Sequence, residues 1–205
     1  MKHMGLFGGS FNPIHSGHLH LAREVRRFLR LDGVLLMPAG EAPHKDSSAY
    51  APAADRLRMC RLAAKNRPWL TVSDWETRQP GRSYTVETLR HLTAESPGTQ
   101  WTLMIGSDML LTFDEWKSWQ EILKMAAVCA VSREHGDTES LLQKAEMLRT
   151  DAPYANITVC PVAAKPVSST QIRTLLQNGE DASCLLPKNV VQYIYDKKLY
   201  GTEVH

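Results

Sequence analysis

The sequence has no C-x-x-C pair: Cys60, Cys129, Cys160 and Cys184 are scattered along 205 residues. That spacing argues against a zinc ribbon or a redox dithiol motif and for reduced, mostly buried thiols. An excess of one charge is also missing. With 24 basic and 22 acidic residues and a formal net charge of +2, the chain lacks the broad basic surface that duplex nucleic acid requires, and small anionic ligands suit this balance better. No apolar run approaches the ~20 residues of a membrane helix, and Met1-Lys2-His3 leads into an apolar stretch without a signal-peptide core, so a cytoplasmic protein without membrane contact is expected. Repeats, low-complexity segments and linkers are missing too. What is there, 43% hydrophobic residues, is ample for one packed core, and residues 1–205 are expected to form a single domain.

Apolar runs alternate with amphipathic ones. Met4 to Phe7 reads as a short buried strand, and the segment after it sets Leu19, Ala22, Val25 and Leu29 on one helical face, with Arg23, Arg26, Arg27 and Arg30 mostly on the solvated side. Gly33 to Pro38 is continuously apolar, as a strand covered on both faces requires. A helix over Pro52 to Asn66, a strand from Trp69 to Trp75 and a helix capped by Ser83 follow. Strands at Trp101 to Ile105, Ala126 to Ser132 and Asn156 to Val162, with a helix over Thr138 to Arg149, complete the pattern. The alternation predicts an α/β fold with a Rossmann-like, doubly wound parallel sheet carrying helices on both faces.

The stretch Gly8-Gly9-Ser10-Phe11-Asn12-Pro13-Ile14-His15-Ser16-Gly17-His18-Leu19 joins the first strand to the first helix. Backbone N–H groups and the helix dipole favour an anion at such a junction, and Gly8, Gly9 and Gly17 remove side chains that would block its approach. His15 and His18, three residues apart at the helix start, can donate to one group of oxygens. A second anion site is written in Pro166 to Arg173, where Ser168, Ser169 and Thr170 precede a helix and Arg173 lies one turn in. Gly106-Ser107-Asp108 reads as a small-residue turn ending a strand, and Ala39 to Ser48 as a polar loop at the sheet edge where ligands bind. Phe113, Trp116 and Trp119 suit either core packing of a short helix or stacking on a ligand. A zinc site at His15, His18 and His20 is disfavoured, because His20 points elsewhere on the helix and no acidic or cysteine ligand is near in sequence.

The first of these runs resembles the G-G-[ST]-F-[DN]-P-x-H-x-G-H-L signature of the HxGH nucleotidyltransferases. The Pro38-x-x-x-x-Pro43-His44-Lys45 pattern, Ser83-Tyr84-Thr85-x-x-Thr88-Leu89 and Ser168-Ser169-Thr170-x-Ile172-Arg173 narrow the resemblance to the bacterial nicotinate-nucleotide adenylyltransferase family. It implies adenylyl transfer from ATP to nicotinate mononucleotide, with magnesium carried on the triphosphate by few or no protein ligands. By the same resemblance His15 and His18 contact the phosphates at the reacting centre. Gly8, Gly9, Ser10, Phe11, Gly17, Gly106 and Asp108 line the nucleotide side, and Ser168, Ser169, Thr170 and Arg173 hold the outer phosphates. Lys45, Tyr84, Thr85 and Trp116 fall on the side of the second substrate, Lys45 facing phosphate. Ser132 to Gly136 departs from the Arg-Pro-Gly turn frequent in the family, so Arg133 is assigned no ligand role. A monomer or homodimer is expected. Nicotinamide mononucleotide or pantetheine phosphate as acceptor, and a nucleotide-binding module without turnover, are the competing readings.

Overall fold

The structure is a computed structural model that describes residues 1–40, 50–132, 138–162 and 165–202. Six strands, β1 (Lys2–Gly9), β2 (Gly33–Pro38), β3 (Leu70–Val72), β4 (Thr99–Gly106), β5 (Ala126–Val131) and β6 (Ile157–Cys160), form one sheet in the order β3-β2-β1-β4-β5-β6. This is the doubly wound, Rossmann-like order, whose direction of winding reverses between β1 and β4. Pairing of β1 with β4, β4 with β5 and β5 with β6 is parallel. The register sets Leu6, Leu103, Val128 and Ile157 side by side across four strands, and all four are buried. Strands this apolar are what a sheet covered on both faces demands.

The contacts of the chain gather it into two compact units, Met1–Gly8 with Leu21–Leu35 and Ser83–Ala164, and Gly9–His20 with Leu36–Arg82 and Lys165–His205. In the first unit, α4 (Thr85–Glu95) packs on α6 (Trp119–Met125), and α5 (Ser107–Leu111) on α7 (Thr138–Asp151). Arg90 reaches both carboxylate oxygens of Glu121 at 2.7 and 2.6 Å; at this exposure the pair contributes little beyond orientation. In the second unit, α2 (Ala53–Ala64) packs on β3, on α3 (Trp75–Arg78) and on α9 (Lys188–Asp196). The last contact is pinned by Asn189 donating to the Leu62 carbonyl at 2.6 Å and Tyr193 donating to Asp55 at 2.7 Å. There α8 (Ser169–Gln177) packs on a 3-10 turn at Leu199–Gly201. The remaining helix, α1 (Ser16–Phe28), buries Leu19, Ala22 and Val25 and leaves Arg23 and Arg27 exposed.

Several local expectations are corrected. The strand expected from Trp69 to Trp75 ends at Val72, because Ser73 Oγ accepts the Trp75 N–H at 3.1 Å and turns the chain into α3; hydroxyl side chains compete with a sheet ladder in this way. Ser83 does not cap α4: Tyr84 occupies that position with no side-chain cap bond, and the buried Ser83 Oγ has no hydrogen-bond partner among the described residues. Gly106-Ser107-Asp108 is the start of α5, with Gly106 as its cap residue. Phe113, Trp116 and Trp119 do not share one helix, since Ser118 at φ 54° breaks the chain between a 3-10 turn and α6. Beyond these corrections, α9 stops at Asp196, and Lys198 at φ 51° precedes the separate turn that carries Tyr200. Three of the free cysteines are buried and Cys184 is exposed; burial pushes the Cys60 thiol far above its ordinary pKa. Among the described residues no helix is long and apolar enough to cross a membrane.

At Gly40 one stretch of backbone comes close to another. A Cβ there would lie 2.6 Å from the Glu76 carbonyl oxygen, and neither partner is a flexible side chain. Gly40→Ala should therefore destabilise the fold by about 1 to 3 kcal/mol, measured as a thermal midpoint lowered by roughly 3 to 10 °C.

Candidate active site

Gly8 and Gly9 are the last residues of β1, not part of the turn after it, and the ladder runs on as the Ala39 N–H donates to the Gly9 carbonyl at 2.9 Å. The turn proper is Ser10 to His15. Phe11 adopts a left-handed backbone at φ 46°, a conformation that costs a residue with a side chain about 1 to 3 kcal/mol and persists only where its surroundings over-determine it. They do so here. The Phe11 ring is 1% exposed and meets the His18 ring edge-on at 5.1 Å, while the neighbouring carbonyls are held from outside the turn. Arg56 Nη1 donates to the Ser10 carbonyl at 2.7 Å, Arg173 Nη1 to that of Asn12 at 2.9 Å, and Ser169 Oγ to that of Pro13 at 3.0 Å. The Asn12 side-chain oxygen, fully buried, accepts from the Ala51 N–H at 3.0 Å and from the Tyr200 hydroxyl at 2.8 Å. Burial pushes the Tyr200 phenol above its ordinary pKa, so it remains a donor.

At the start of α1 the two histidines cap the helix and each other. His15 Nδ1 accepts the backbone N–H of His18 at 3.4 Å, His18 Nδ1 accepts that of His15 at 3.2 Å, and the rings stack at 3.7 Å with 29° between planes. This is the reciprocity of a capping box with imidazoles in place of a hydroxyl and a carboxylate. With both Nδ1 atoms accepting, each neutral ring carries its proton on Nε2. The result is a pair of directional N–H donors whose orientation is set by the helix. His15 is 5% exposed and His18 half-buried.

The expected cap at the start of α8 is present. Ser168 caps α8 by accepting the Gln171 N–H at 3.1 Å. Arg173 donates to Thr170 Oγ1 at 3.3 Å as well as to the turn, and its guanidinium lies 6.0 Å from the Tyr50 ring centroid. His15, Gly17, His18, Ser169 and Arg173 are thus brought together in the second unit. In the first unit, Gly106 ends β4, Asp108 is exposed in α5, and Tyr84 and Thr85 open α4. There Lys117 Nζ sits 4.2 Å from the Tyr84 ring centroid and 2.7 Å from Glu87, and Trp116 packs half-buried against the core ring of Phe113 at 5.0 Å. Lys45 and Arg133 lie outside the described residues.

Sequence reasoning missed Arg56, the hub role of Asn12, and Tyr200. One signal was available: Arg56 stands in register with Met59, Cys60 and Ala63, the buried stripe of α2, where a charged residue calls for a reason.

Residues 6–175 match the model of the cytidylyltransferase-like family. A probable nicotinate-nucleotide adenylyltransferase of Synechococcus sp. (strain JA-3-3Ab) is 39% identical over 202 residues, which cover 97% of this chain and 95% of that protein. Another of the same description, from Lactococcus lactis subsp. lactis, is 37% identical over 97% of this chain and 95% of its own length. In fold, the chain is similar to the Plasmodium falciparum nicotinic acid mononucleotide adenylyltransferase complexed with NaAD, with a TM-score of 0.80 over 100% of both chains at 17% identity. The chain belongs to the cytidylyltransferase-like family of nucleotidyltransferases and, within it, to the nicotinate-nucleotide adenylyltransferases.

Gly17 holds the histidine pair in place by having no side chain. A Cβ there would fall 3.0 Å from the His15 ring and 3.5 Å from the Val167 carbonyl. Gly17→Ala should tilt His15 out of its stack and weaken ATP binding about tenfold, the equivalent of one modest hydrogen bond, read by calorimetry on a variant whose circular dichroism matches wild type.

Proposed function

We propose that this chain transfers the adenylyl group of ATP to nicotinate mononucleotide, yielding nicotinate adenine dinucleotide and pyrophosphate in NAD biosynthesis. The observation that carries this reading is the stacked His15–His18 pair, two oriented donors at a helix start, in a chain alike over nearly its whole length to relatives named for that reaction. A phosphate oxygen of the mononucleotide attacks the α-phosphorus of ATP, and the bond to the leaving pyrophosphate breaks. The acceptor is already ionised at neutral pH, so no protein nucleophile is needed. Catalysis rests on orientation and on stabilising charge as it develops.

In this reading His15 and His18 donate to the phosphates around the reacting centre, and Gly8, Gly9, Ser10, Phe11 and Gly17 let the nucleotide lie against the start of α1. For Phe11 the contribution is its backbone, because its ring is spent supporting His18. Ser168, Ser169, Thr170 and Arg173 serve the outer phosphates, Gly106 and Asp108 the nucleoside, and Lys45 phosphate. Tyr84, Thr85 and Trp116 take the pyridine ring and its carboxylate. No side chain caps α4, which leaves first-turn N–H groups for a carboxylate ligand, and Lys117 offsets the charge of Glu87 in that same turn. Among the described residues no three His, Cys, Asp or Glu side chains gather as a metal cage. Magnesium fits as a cation that arrives on the triphosphate, held by phosphate oxygens and water, where it neutralises charge. The family match runs through segments of both compact units, which supports a single nucleotidyltransferase domain. The chain works in the cytoplasm on soluble nucleotides, as a monomer or homodimer.

The test is pyrophosphate release from ATP and magnesium with nicotinate mononucleotide, nicotinamide mononucleotide and phosphopantetheine in parallel. Turnover is expected with the first, and no release with any acceptor refutes the reading. The acid should be preferred over its amide by about tenfold to a hundredfold, since the amide would set an N–H against donors and leave one of them unpaired. Trp116→Ala should raise KM for both pyridine acceptors while largely preserving their ratio; a lost preference with tight binding of both would contradict the stacking role. Arg173→Ala should weaken ATP more than the mononucleotide, and equal losses in the two apparent affinities would remove it from the triphosphate side.

A further inference from the structure

Arg56 is 3% exposed on the buried stripe of α2, and its guanidinium is spent wholly on backbone. Nε donates to the Ala51 carbonyl at 3.1 Å, Nη1 to that of Ser10 at 2.7 Å and Nη2 to that of Gly40 at 2.5 Å. The ionisable groups whose fields it feels are Tyr200, Cys60 and Tyr50, none of them a carboxylate. A buried cation with no counter-ion among the described residues is an expensive way to fill a core position, and an apolar side chain would pack there at lower cost. Two properties of this cation are not replaceable by packing. The peptide between Ser10 and Phe11 is planar, so turning the Ser10 carbonyl toward Arg56 aims the Phe11 N–H the opposite way. The guanidinium charge also lies one peptide group behind that N–H, in a low-dielectric setting where its field persists.

We infer that Arg56 is a positioning residue for ATP's phosphates: it orients the Ser10–Phe11 peptide and supplies buried positive charge behind the turn that leads to His15 and His18. The inference rests on the reading that this turn binds ATP, and it deepens that reading by assigning part of the anion affinity to a side chain that never touches the ligand. Its three acceptors come from three separate stretches of chain, and only the fork of a guanidinium reaches all of them. A lysine keeps the charge and loses the fork.

The experiment is calorimetric titration of the full chain with ATP, in the absence of acceptor and well below each variant's thermal midpoint. Arg56→Met should weaken ATP by at least about tenfold and Arg56→Lys by a smaller factor, with binding of the mononucleotide changed less than about twofold in both. Methylguanidinium should restore part of the ATP affinity of Arg56→Ala. A lowered thermal midpoint with unchanged ATP affinity in the folded variants would make Arg56 merely structural and overturn the inference. Should these variants fail to fold, the wild-type chain decides: the Arg56 Nε–H resonance should exchange slowly with water in the free protein and shift when ATP is added. Free exchange, or no shift at saturating ATP, overturns the inference. A wild type that binds ATP and releases pyrophosphate while the Arg56 variants bind ATP normally sinks the role of Arg56 alone; a wild type that binds no ATP sinks the functional reading together with it.

Discussion

The carbonyl oxygens of the Ser10–Pro13 turn are held by side chains from far along the chain, and the second unit is arranged around that need. Carbonyls of a buried turn left without partners would cost as much as lost hydrogen bonds. Arg56 from α2 and Arg173 and Ser169 from α8 resolve this by donating to the carbonyls of Ser10, Asn12 and Pro13, while Tyr200 from the last 3-10 turn holds the Asn12 side-chain oxygen. The packing of α2 on α9 and of α8 on the 199–201 turn sets where those side chains stand. Core packing and the placement of this turn are therefore one problem in this unit: α2 and α8 both hold its carbonyls.

Helix starts are used in contrasting ways. Serine closes α8 in the ordinary manner, whereas α1 is closed by two imidazoles that take each other's backbone N–H groups through Nδ1. The imidazole cap does what a serine cannot, since its ring has a second nitrogen to present once the first is engaged. Sequence spacing, helix capping and proton placement thus converge on the same two residues, with Gly17 between them where a Cβ would crowd the His15 ring at 3.0 Å.

Much of this was legible from the sequence. The alternation of apolar and amphipathic runs predicted six parallel strands, and β2 matched from end to end, because Gly33–Pro38 is apolar throughout and bounded by clear breakers. The stretch from Gly8 to Leu19 and the Ser168–Arg173 motif marked out the start of α1 and the cap of α8, since their residue types act through local backbone geometry. Where the reading slipped, a competing local bond decided: Ser73 ended β3 early, and the left-handed Ser118 separated Phe113 from Trp119. For Arg56, Asn12 and Tyr200 it was the partners that lay out of reach, although the place of Arg56 on the buried stripe of α2 signalled a role. Their partners are 46, 39 and 188 residues away, and nothing in a local pattern announces a contact of that range.

The bond between Tyr200 and Asn12 bears on how the protein comes into being. A nascent chain leaves the ribosome amino end first and folds as it emerges, so the β1–α1 junction is made early and then waits. Its Asn12 side chain lacks the phenolic donor until residue 200 is outside the exit tunnel, and α8 with Arg173 and Ser169 appears only shortly before. The Ser10–Pro13 turn is among the first segments synthesised, and three of the side chains that hold it, Ser169, Arg173 and Tyr200, are among the last.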